Sequence, residues 1–358
     1  MGDVPLRHTG LATPAAAGTD PFRREPIRIG FRGFWDDFDP ADNWFTRLLA
    51  TRWSVEVSDR PEWLIYSRIG RRRTEYRLHD CVRIFYTGEN EPPDWNECDW
   101  AFTFDRRPHP RHFRLPLWGL YGDPARLVHR PGRDPQALVA AKSRFCSFLV
   151  SNPLCPVRNA FFERLSRYRH VDSGGRLFNT LGHAVANKMA FIAESKFTIA
   201  FENESAPGYT TEKVMEPMLV DSIPIYWGDP LVGCDFDTRS FLSAHDSPTL
   251  EDLVERVIAV DRDPALHAAL LATPWFRGNR VPDCVAHERV LDQFARIFAT
   301  PVTPVARRGG IVRAVRLHRL PATTRSLHRR IRRSLLKAIC PPAGAPSPRR
   351  SATKPTND

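Results

Sequence analysis

No run of about 18 apolar residues occurs anywhere in the 358-residue chain, so no segment reads as a membrane-spanning helix. Cysteine is present without a framework. The seven residues Cys81, Cys98, Cys146, Cys155, Cys234, Cys284 and Cys340 are odd in number and widely spaced, and no Cys-x-x-Cys occurs, so a zinc site or disulfide scaffold has little support. Several lie inside apolar runs, as in Phe145-Cys146-Ser147-Phe148, and read as buried free thiols. Nothing repeats internally, which excludes solenoids and propellers. Residues 1–25 hold no apolar stretch of the kind a secretory signal needs and read as a disordered lead-in. Acidic residues are scarce in one place. From Ala306 on there are 14 Lys and Arg against the single acid Asp358. The formal charge of +11 is therefore a tail of +13 on a body of 11 minus 13, or −2. A near-neutral body argues against a nucleic-acid-binding domain, whose basic face would belong to the fold itself.

Residues 196–227 are the most informative stretch. Phe197 to Phe201 is a short uncharged apolar run, a buried strand. Glu202 to Tyr209 holds Ser205, Pro207 and Gly208 and reads as a loop. Thr210 or Thr211 caps a helix with Val214, Met215, Met218 and Leu219 on its apolar face, and Ser222 to Trp227 is a second strand. Such strand–loop–helix–strand units build parallel sheets with ligands at the strands' carboxyl ends. Glu202, Asn203, Tyr209, Glu212 and Lys213 all fall there. A nucleoside diphosphate needs a cation and backbone N–H groups for its phosphates and a carboxylate for ribose hydroxyls. Adjacent Lys213 and Glu212 at a helix start supply both, although solvated helix-start charges would look the same.

The run Phe201-Glu202-Asn203 followed by Tyr209-Thr210-Thr211-Glu212-Lys213 resembles the signature of the α1,3/α1,4-fucosyltransferases, glycosyltransferase family 10, and is most like the bacterial members. Glu204 stands where a small hydroxyl residue is usual in that family, and Thr210 where an aliphatic is usual. The resemblance implies an α/β fold with two Rossmann-like domains facing across a cleft, the GT-B type.

Along the chain, strands are expected at 26–35, 54–58, 63–66, 82–86 and 100–104, with a helix at 44–52. A Pro-, Gly- and charge-rich surface excursion spans 121–134, and a helix covers 135–142. The second half opens with a strand at 145–150. Helices follow at 158–168 and 187–194, then the signature unit, then helices at 250–260, 264–271 and 288–298. The expected divisions are a lead-in at 1–25, an acceptor-side domain at 26–143, a nucleotide-sugar domain at 144–300 and a basic tail at 301–358.

Glu89 follows the buried strand Ile84-Phe85-Tyr86, so it belongs at that strand's carboxyl end. Phe85-Tyr86-Thr87-Gly88-Glu89-Asn90-Glu91 resembles a motif of the bacterial members in which the first Glu is the proposed base; Glu91 is its rival. Arg158 heads a helix after a buried strand, where guanidinium and helix N–H groups can hold a diphosphate, and the matching family Arg binds phosphate. Arg158, Asn203, Tyr209, Glu212 and Lys213 are thus the expected donor-binding set. Gly174-Gly175 with Asn179-Thr180-Leu181-Gly182 has a family counterpart near the donor, with Phe178 where the family carries Arg. Asp235-Phe236-Asp237 and Asp261-Arg262-Asp263 have the spacing of metal-dependent glycosyltransferases. The first lies beyond the signature strand and the second in a surface helical region, so no metal ligand is assigned. No cofactor is expected to be required, with stimulation by a divalent cation left open.

In the tail, Leu327, Ile331, Leu335 and Ile339 stand four apart among Arg329, Arg330, Arg332, Arg333 and Lys337, a basic amphipathic helix suited to an anionic bilayer. The combined expectation is an inverting enzyme that transfers L-fucose from GDP-β-L-fucose to a GlcNAc or Glc hydroxyl of an oligosaccharide, α1,3-linked or α1,4-linked. It would be cytoplasmic and peripheral on the inner face of the membrane, with GDP-fucose, the oligosaccharide acceptor and the anionic membrane as partners and no nucleic acid. The alternatives are the same fold with another nucleotide sugar or a lipid-linked glycan, and a basic-tailed binding module without catalysis.

Overall fold

The computed structural model describes residues 25–307. The basic tail helix, its preceding Arg313–Arg319 run, Cys340 and the lead-in before residue 25 lie outside the described residues.

Two parallel sheets carry the fold. The first is built from β1 (Ile27–Arg32), β2 (Val55–Val57), β3 (Trp63–Tyr66), β4 (Val82–Tyr86), β5 (Trp100–Thr103) and β6 (His112–Arg114), in the order β2-β1-β3-β4-β5-β6. The second holds β7 (Arg144–Phe148), β8 (Val171–Ser173), β9 (Ser195–Phe201), β10 (Ile223–Trp227) and β11 (Leu242–Ser243), in the order β11-β10-β9-β7-β8. Every pairing is parallel, so both faces of the central strands are covered and their sequences read as apolar runs. Trp63-Leu64-Ile65-Tyr66 is buried at all four positions.

The helices are α1 (Trp44–Ala50), α2 (Pro135–Ala140), α3 (Pro156–Tyr168), α4 (Lys188–Ala193), α5 (Glu212–Leu219), α6 (Leu250–Arg262), α7 (Pro264–Ala272) and α8 (His287–Ala299). Their starts are chemically marked. Asn43 Oδ1 accepts from Thr46 N (3.1 Å) ahead of α1, and Thr249 and Asp252 form a capping box on α6.

In both sheets the chain runs outward from one strand and then returns to that strand's other side. The reversal falls between β1 and β3 in the first sheet and between β7 and β9 in the second. A crevice outside the carboxyl ends opens at such points. The segment after β7, which leads to Arg158 in the first turn of α3, and the segment after β9, which carries Glu202 and Asn203, meet at the second of them.

The last helix departs from the sequence expectation. α8 falls within residues 144–300 but packs on the first sheet. Phe294 stacks on Phe102 (ring centroids 4.8 Å), Phe298 meets Trp63 (4.8 Å) and Trp53 (5.2 Å), and Arg52 pairs with Glu288 (2.5 Å) and Asp292 (2.9 Å). The apolar stripe of α8 was legible; which sheet it would cover was not, because a stripe carries no address. The chain thus passes between the halves twice, outward after β6 and back before α8.

Candidate active site

The second-half cluster starts at the end of β9. Glu202 N donates to Trp227 O (2.7 Å), which turns the Glu202 side chain into the protein, where it is fully buried. Its two oxygens accept from Thr211 N and Thr211 Oγ1, each at 2.7 Å, and Lys213 Nζ lies 3.2 Å away. Thr211 is the N-cap of α5, so one buried carboxylate fixes the start of the helix that presents Glu212 and Lys213. Lys213 Nζ also donates to Thr211 Oγ1 (2.9 Å) and pairs with Glu212 (3.4 Å), with 22% of its side chain exposed. Burial works against its charge, but the Glu202 and Glu212 carboxylates win and raise its pKa. Lys213 is a fixed cation at a helix N-terminus with one side open. Burial pushes the Glu202 carboxyl above its usual range against the pull of Lys213. Glu212 ends below its usual range, because Lys213 and Lys188 outweigh the burial that would raise it.

Arg158 lies in the first turn of α3 and is closed off from water entirely. Nη1 donates to Asn203 Oδ1 (2.9 Å) and Phe201 O (3.2 Å), and Nη2 to Asn152 O (2.6 Å). Nε has no partner, and among the described residues no carboxylate pairs with the guanidinium. Burial pulls its pKa down. A buried cation held only by neutral oxygens is costly and gains most from an anion brought close. The guanidinium that the sequence expectation placed at the ligand is fully buried, and the Asn203 it bonds is half-buried.

Tyr209 joins the loop to the first half. Its ring packs edge-on against Phe104, just past β5 (5.6 Å), and is 3% exposed. Burial raises the phenol, and the negative charges of Glu202, Glu89, Glu212 and Glu204 add to it. The phenol therefore lies within electrostatic reach of Glu89 from one half and of the signature carboxylates from the other. Gly208 makes the approach possible. Its φ is +85°, and a Cβ there would lie 2.5 Å from Phe104 O, so only glycine fits.

Glu89 is exposed on the loop after β4, where its N–H donates to Thr87 Oγ1 (3.0 Å) and its carbonyl accepts from Glu91 N (2.7 Å). The next residue reaches across: Asn90 Nδ2 donates to Glu204 Oε2 (2.9 Å). The rival Glu91 is occupied by Arg68 at 2.7 Å. Asn203, Tyr209, Glu212 and Lys213 are thus gathered on one loop and helix start, and the Glu89 loop rests against them.

The two Asp-x-Asp pairs have other work. Asp235 is clamped by Arg114 (2.6 and 3.0 Å) and Arg106 (3.0 Å), both from the first half, and Asp237 pairs with Arg239 (2.6 Å). Asp261, expected in a surface helical region, has only 3% of its side chain exposed, because Lys196 (2.7 Å), Arg169 (3.1 Å) and Tyr168 (2.9 Å) draw it in. Asp263 caps α7 through Ala265 N (2.8 Å). Among the described residues no group of three or more His, Cys, Asp or Glu is arranged to hold a metal ion. Phe178 takes a left-handed backbone (φ +53°) and stacks on Phe162 (4.6 Å), so it belongs to the core of the second half.

Sequence reasoning missed Glu202 as the anchor, although an acid directly after a buried strand and nine residues before Thr-Glu-Lys was a usable signal. It also missed buried Asp229, which accepts from Gly208 N (2.7 Å) and Thr210 Oγ1 (3.1 Å) and sets the far end of the loop. The thiols of Cys81, Cys98, Cys146 and Cys155 are free and buried, while Cys234 is exposed.

Comparison with known proteins points one way. Residues 29–121 match the alpha-(1,3)-fucosyltransferase FucT N-terminal domain family, and residues 139–282 match the glycosyltransferase family 10 (fucosyltransferase) C-terminal family. The chain is 30% identical over 272 residues to alpha-(1,3)-fucosyltransferase FucT of Helicobacter pylori, covering 65% of this chain and 56% of that protein. It is 29% identical over 131 residues to a 3-galactosyl-N-acetylglucosaminide 4-alpha-L-fucosyltransferase of Bos taurus, 36% of this chain and 35% of the other. The chain therefore spans about half the length of the first of these relatives and about a third of the second. A crystal structure of an alpha1,3-fucosyltransferase superposes with a TM-score of 0.67 at 26% identity, covering 78% of this chain and 91% of that one. Another, of an alpha1,3-fucosyltransferase with GDP-fucose, gives 0.63 at 25% identity, covering 83% and 94%. With both domains of the family matched in order and the same two-sheet architecture, this chain belongs to glycosyltransferase family 10, the fucosyltransferase family, and resembles its bacterial members.

Proposed function

We propose that the chain is an inverting fucosyltransferase that moves L-fucose from GDP-β-L-fucose to a GlcNAc or Glc hydroxyl of an oligosaccharide, forming an α1,3 linkage, with α1,4 as the variant outcome. The first half, residues 26–143 joined by α8, takes the acceptor, and the rest of residues 144–300 takes the donor. Glu89 accepts the proton of the acceptor hydroxyl as its oxygen attacks the anomeric carbon. The bond to the diphosphate breaks on the opposite face, and GDP leaves with the electron pair. Lys213 and the N–H groups at the start of α5 offset the charge that builds on the departing diphosphate. Glu212 is suited to a ribose hydroxyl, and Asn203 and Tyr209 line the site. Arg158 adds positive potential from its buried place against Asn203. In this reading the cationic side chains do the neutralising, no cofactor is required, and chelation with EDTA leaves transfer measurable.

The observation that carries the proposal is the Asn90–Glu204 hydrogen bond of 2.9 Å, which puts the loop of the candidate base against the loop of the candidate donor site. Incubation with GDP-fucose and a panel of type 1 and type 2 disaccharides, followed by linkage analysis of the product, tests it. An α1,3- or α1,4-fucosylated product is expected. UDP displacing a bound nucleotide better than GDP does would overturn the donor assignment.

The tail is proposed to hold the chain at the anionic inner face of the membrane from the cytoplasmic side. Deleting the residues after Val305 should abolish sedimentation with anionic vesicles and leave transfer to soluble acceptors intact. Sedimentation that survives the deletion would overturn the membrane role, and loss of transfer would show that the tail serves the catalytic body as well.

A further inference from the structure

The passage between the halves holds a second concentration of positive charge, at the opposite end of α5 from Lys213. A recess of about 510 Å³ is lined by Arg126, His129, Arg130 and Arg133 from the outward crossing, Trp275 from the return crossing, and Asp221 just past α5. Among the described residues Asp221 is the only acid in its wall. It pairs with Arg133 (2.6 Å), whose guanidinium also lies over the Trp275 ring (6.0 Å) and whose Nε donates to Leu271 O (3.2 Å). Arg126 and Arg130 are exposed, and neither has an acidic partner among the described residues. His129 Nε2 is buried without a hydrogen-bond partner.

The frame around these side chains is firm. His129 N donates to Asn279 Oδ1 (2.8 Å) and Asn279 Nδ2 donates back to His129 O (2.9 Å), a reciprocal tie between the two crossing segments. Lys142 Nζ donates to Val220 O (2.9 Å) and Ala193 O (2.8 Å), which holds the end of α5 from the other side.

We propose that this recess binds a small phosphorylated molecule through Arg126, Arg130 and Arg133. Three guanidinium forks against one carboxylate leave an excess of two positive charges, which matches a phosphate monoester or diphosphate. The volume is far larger than one phosphate group needs and falls in the range of ordinary ligand pockets, about 300–1,000 Å³. The non-phosphate part of the ligand lies toward Trp275 and the apolar side chains of α5. Binding draws Arg133 from Asp221, so the site is coupled to the end of the helix that presents Lys213. The sequence showed this segment only as a charged surface excursion.

Calorimetric titration of the full chain with pyrophosphate at constant ionic strength tests the site. The wild type should show two binding events, because Lys213 offers the other. The double variant Arg126→Gln/Arg130→Gln alters only exposed side chains. It should lose one event or weaken it roughly tenfold to a hundredfold, the effect of removing two charge-assisted contacts, while keeping its melting temperature. Lys213→Ala should weaken the other event. Asp221→Asn should strengthen the first several-fold by removing the competing carboxylate, and Asn tolerates the left-handed backbone at this position (φ +56°). A soluble short-chain phosphatidic acid, titrated below its micelle concentration so that the tail's affinity for bilayers plays no part, distinguishes a lipid-borne phosphate from a soluble one: loss of binding in the double variant with that probe alone assigns the lipid source. Wild-type stoichiometry and affinity for both probes in the double variant would overturn the proposal.

Discussion

The two loops that meet at the crevice are built on opposite principles. The signature loop is over-determined: Glu202, Thr211 and Lys213 form one buried hydrogen-bonded cluster, and Asp229 fixes the other end through Gly208 and Thr210. Glu89 is exposed on a loop that rests on Thr87, and the neighbouring Asn90 side chain bonds across to Glu204. Charge that must be in place before a diphosphate arrives is held by desolvated partners, at a cost the fold has already met. A proton acceptor that must meet a solvated hydroxyl sits on a loop open to water. The contrast predicts that substitutions in the first loop cost stability, whatever else they cost, and those in the second cost rate alone.

The largest effect on stability is expected from Glu202→Ala. Removing one partner of a buried ion pair leaves Lys213 with Glu212 alone and Thr211 without its acceptor, and should cost about 3–5 kcal/mol in a urea titration. A loss below about 1 kcal/mol would show that the cluster is not what anchors α5. Lys213→Ala comes next: kcat/KM for transfer should fall by the equivalent of about 2–4 kcal/mol, the range for removing one electrostatic donor. Unchanged kcat/KM would move the phosphate site elsewhere.

The smallest effect is pH-dependent and lies outside both loops, so it calibrates the comparison. Asp261 is held below the usual carboxylate range: burial alone would raise it, and Lys196, Tyr168 and Arg169 together outweigh burial. A depressed folded-state pKa adds stability above the unfolded value of about 3.9, and that stability is lost as pH falls through the folded value. Wild type should therefore exceed Asp261→Asn by about 1–3 kcal/mol near pH 6, with the gap closing below about pH 4. A gap that persisted at low pH would mean that packing, not charge, sets the contribution of Asp261.

Local signals were readable wherever the physics is local. Trp63–Tyr66 and Val82–Tyr86 are strands at the positions their apolar runs indicated, and Asn187 caps α4. β8 escaped notice because Val171–Ser173 is three residues long with an acid in the middle, and β11 has only two residues. That residues 201–213 share one loop and helix start was visible in their spacing, but their burial was not. Arg158 is bonded to Asn203, 45 positions away, and the Arg114–Asp235 clamp joins residues 121 apart. Contacts at such separations leave no period or motif in the chain.

Single-turnover transfer by Glu89→Gln, measured beside its affinity for GDP, tests the division of labour most directly. Transfer should fall about 10²–10⁴-fold, the usual contribution of a positioned general base, with GDP affinity and unfolding free energy close to wild type. Transfer at the wild-type rate would remove Glu89 from the chemistry and with it the pairing of an open proton acceptor with a buried, pre-set cation.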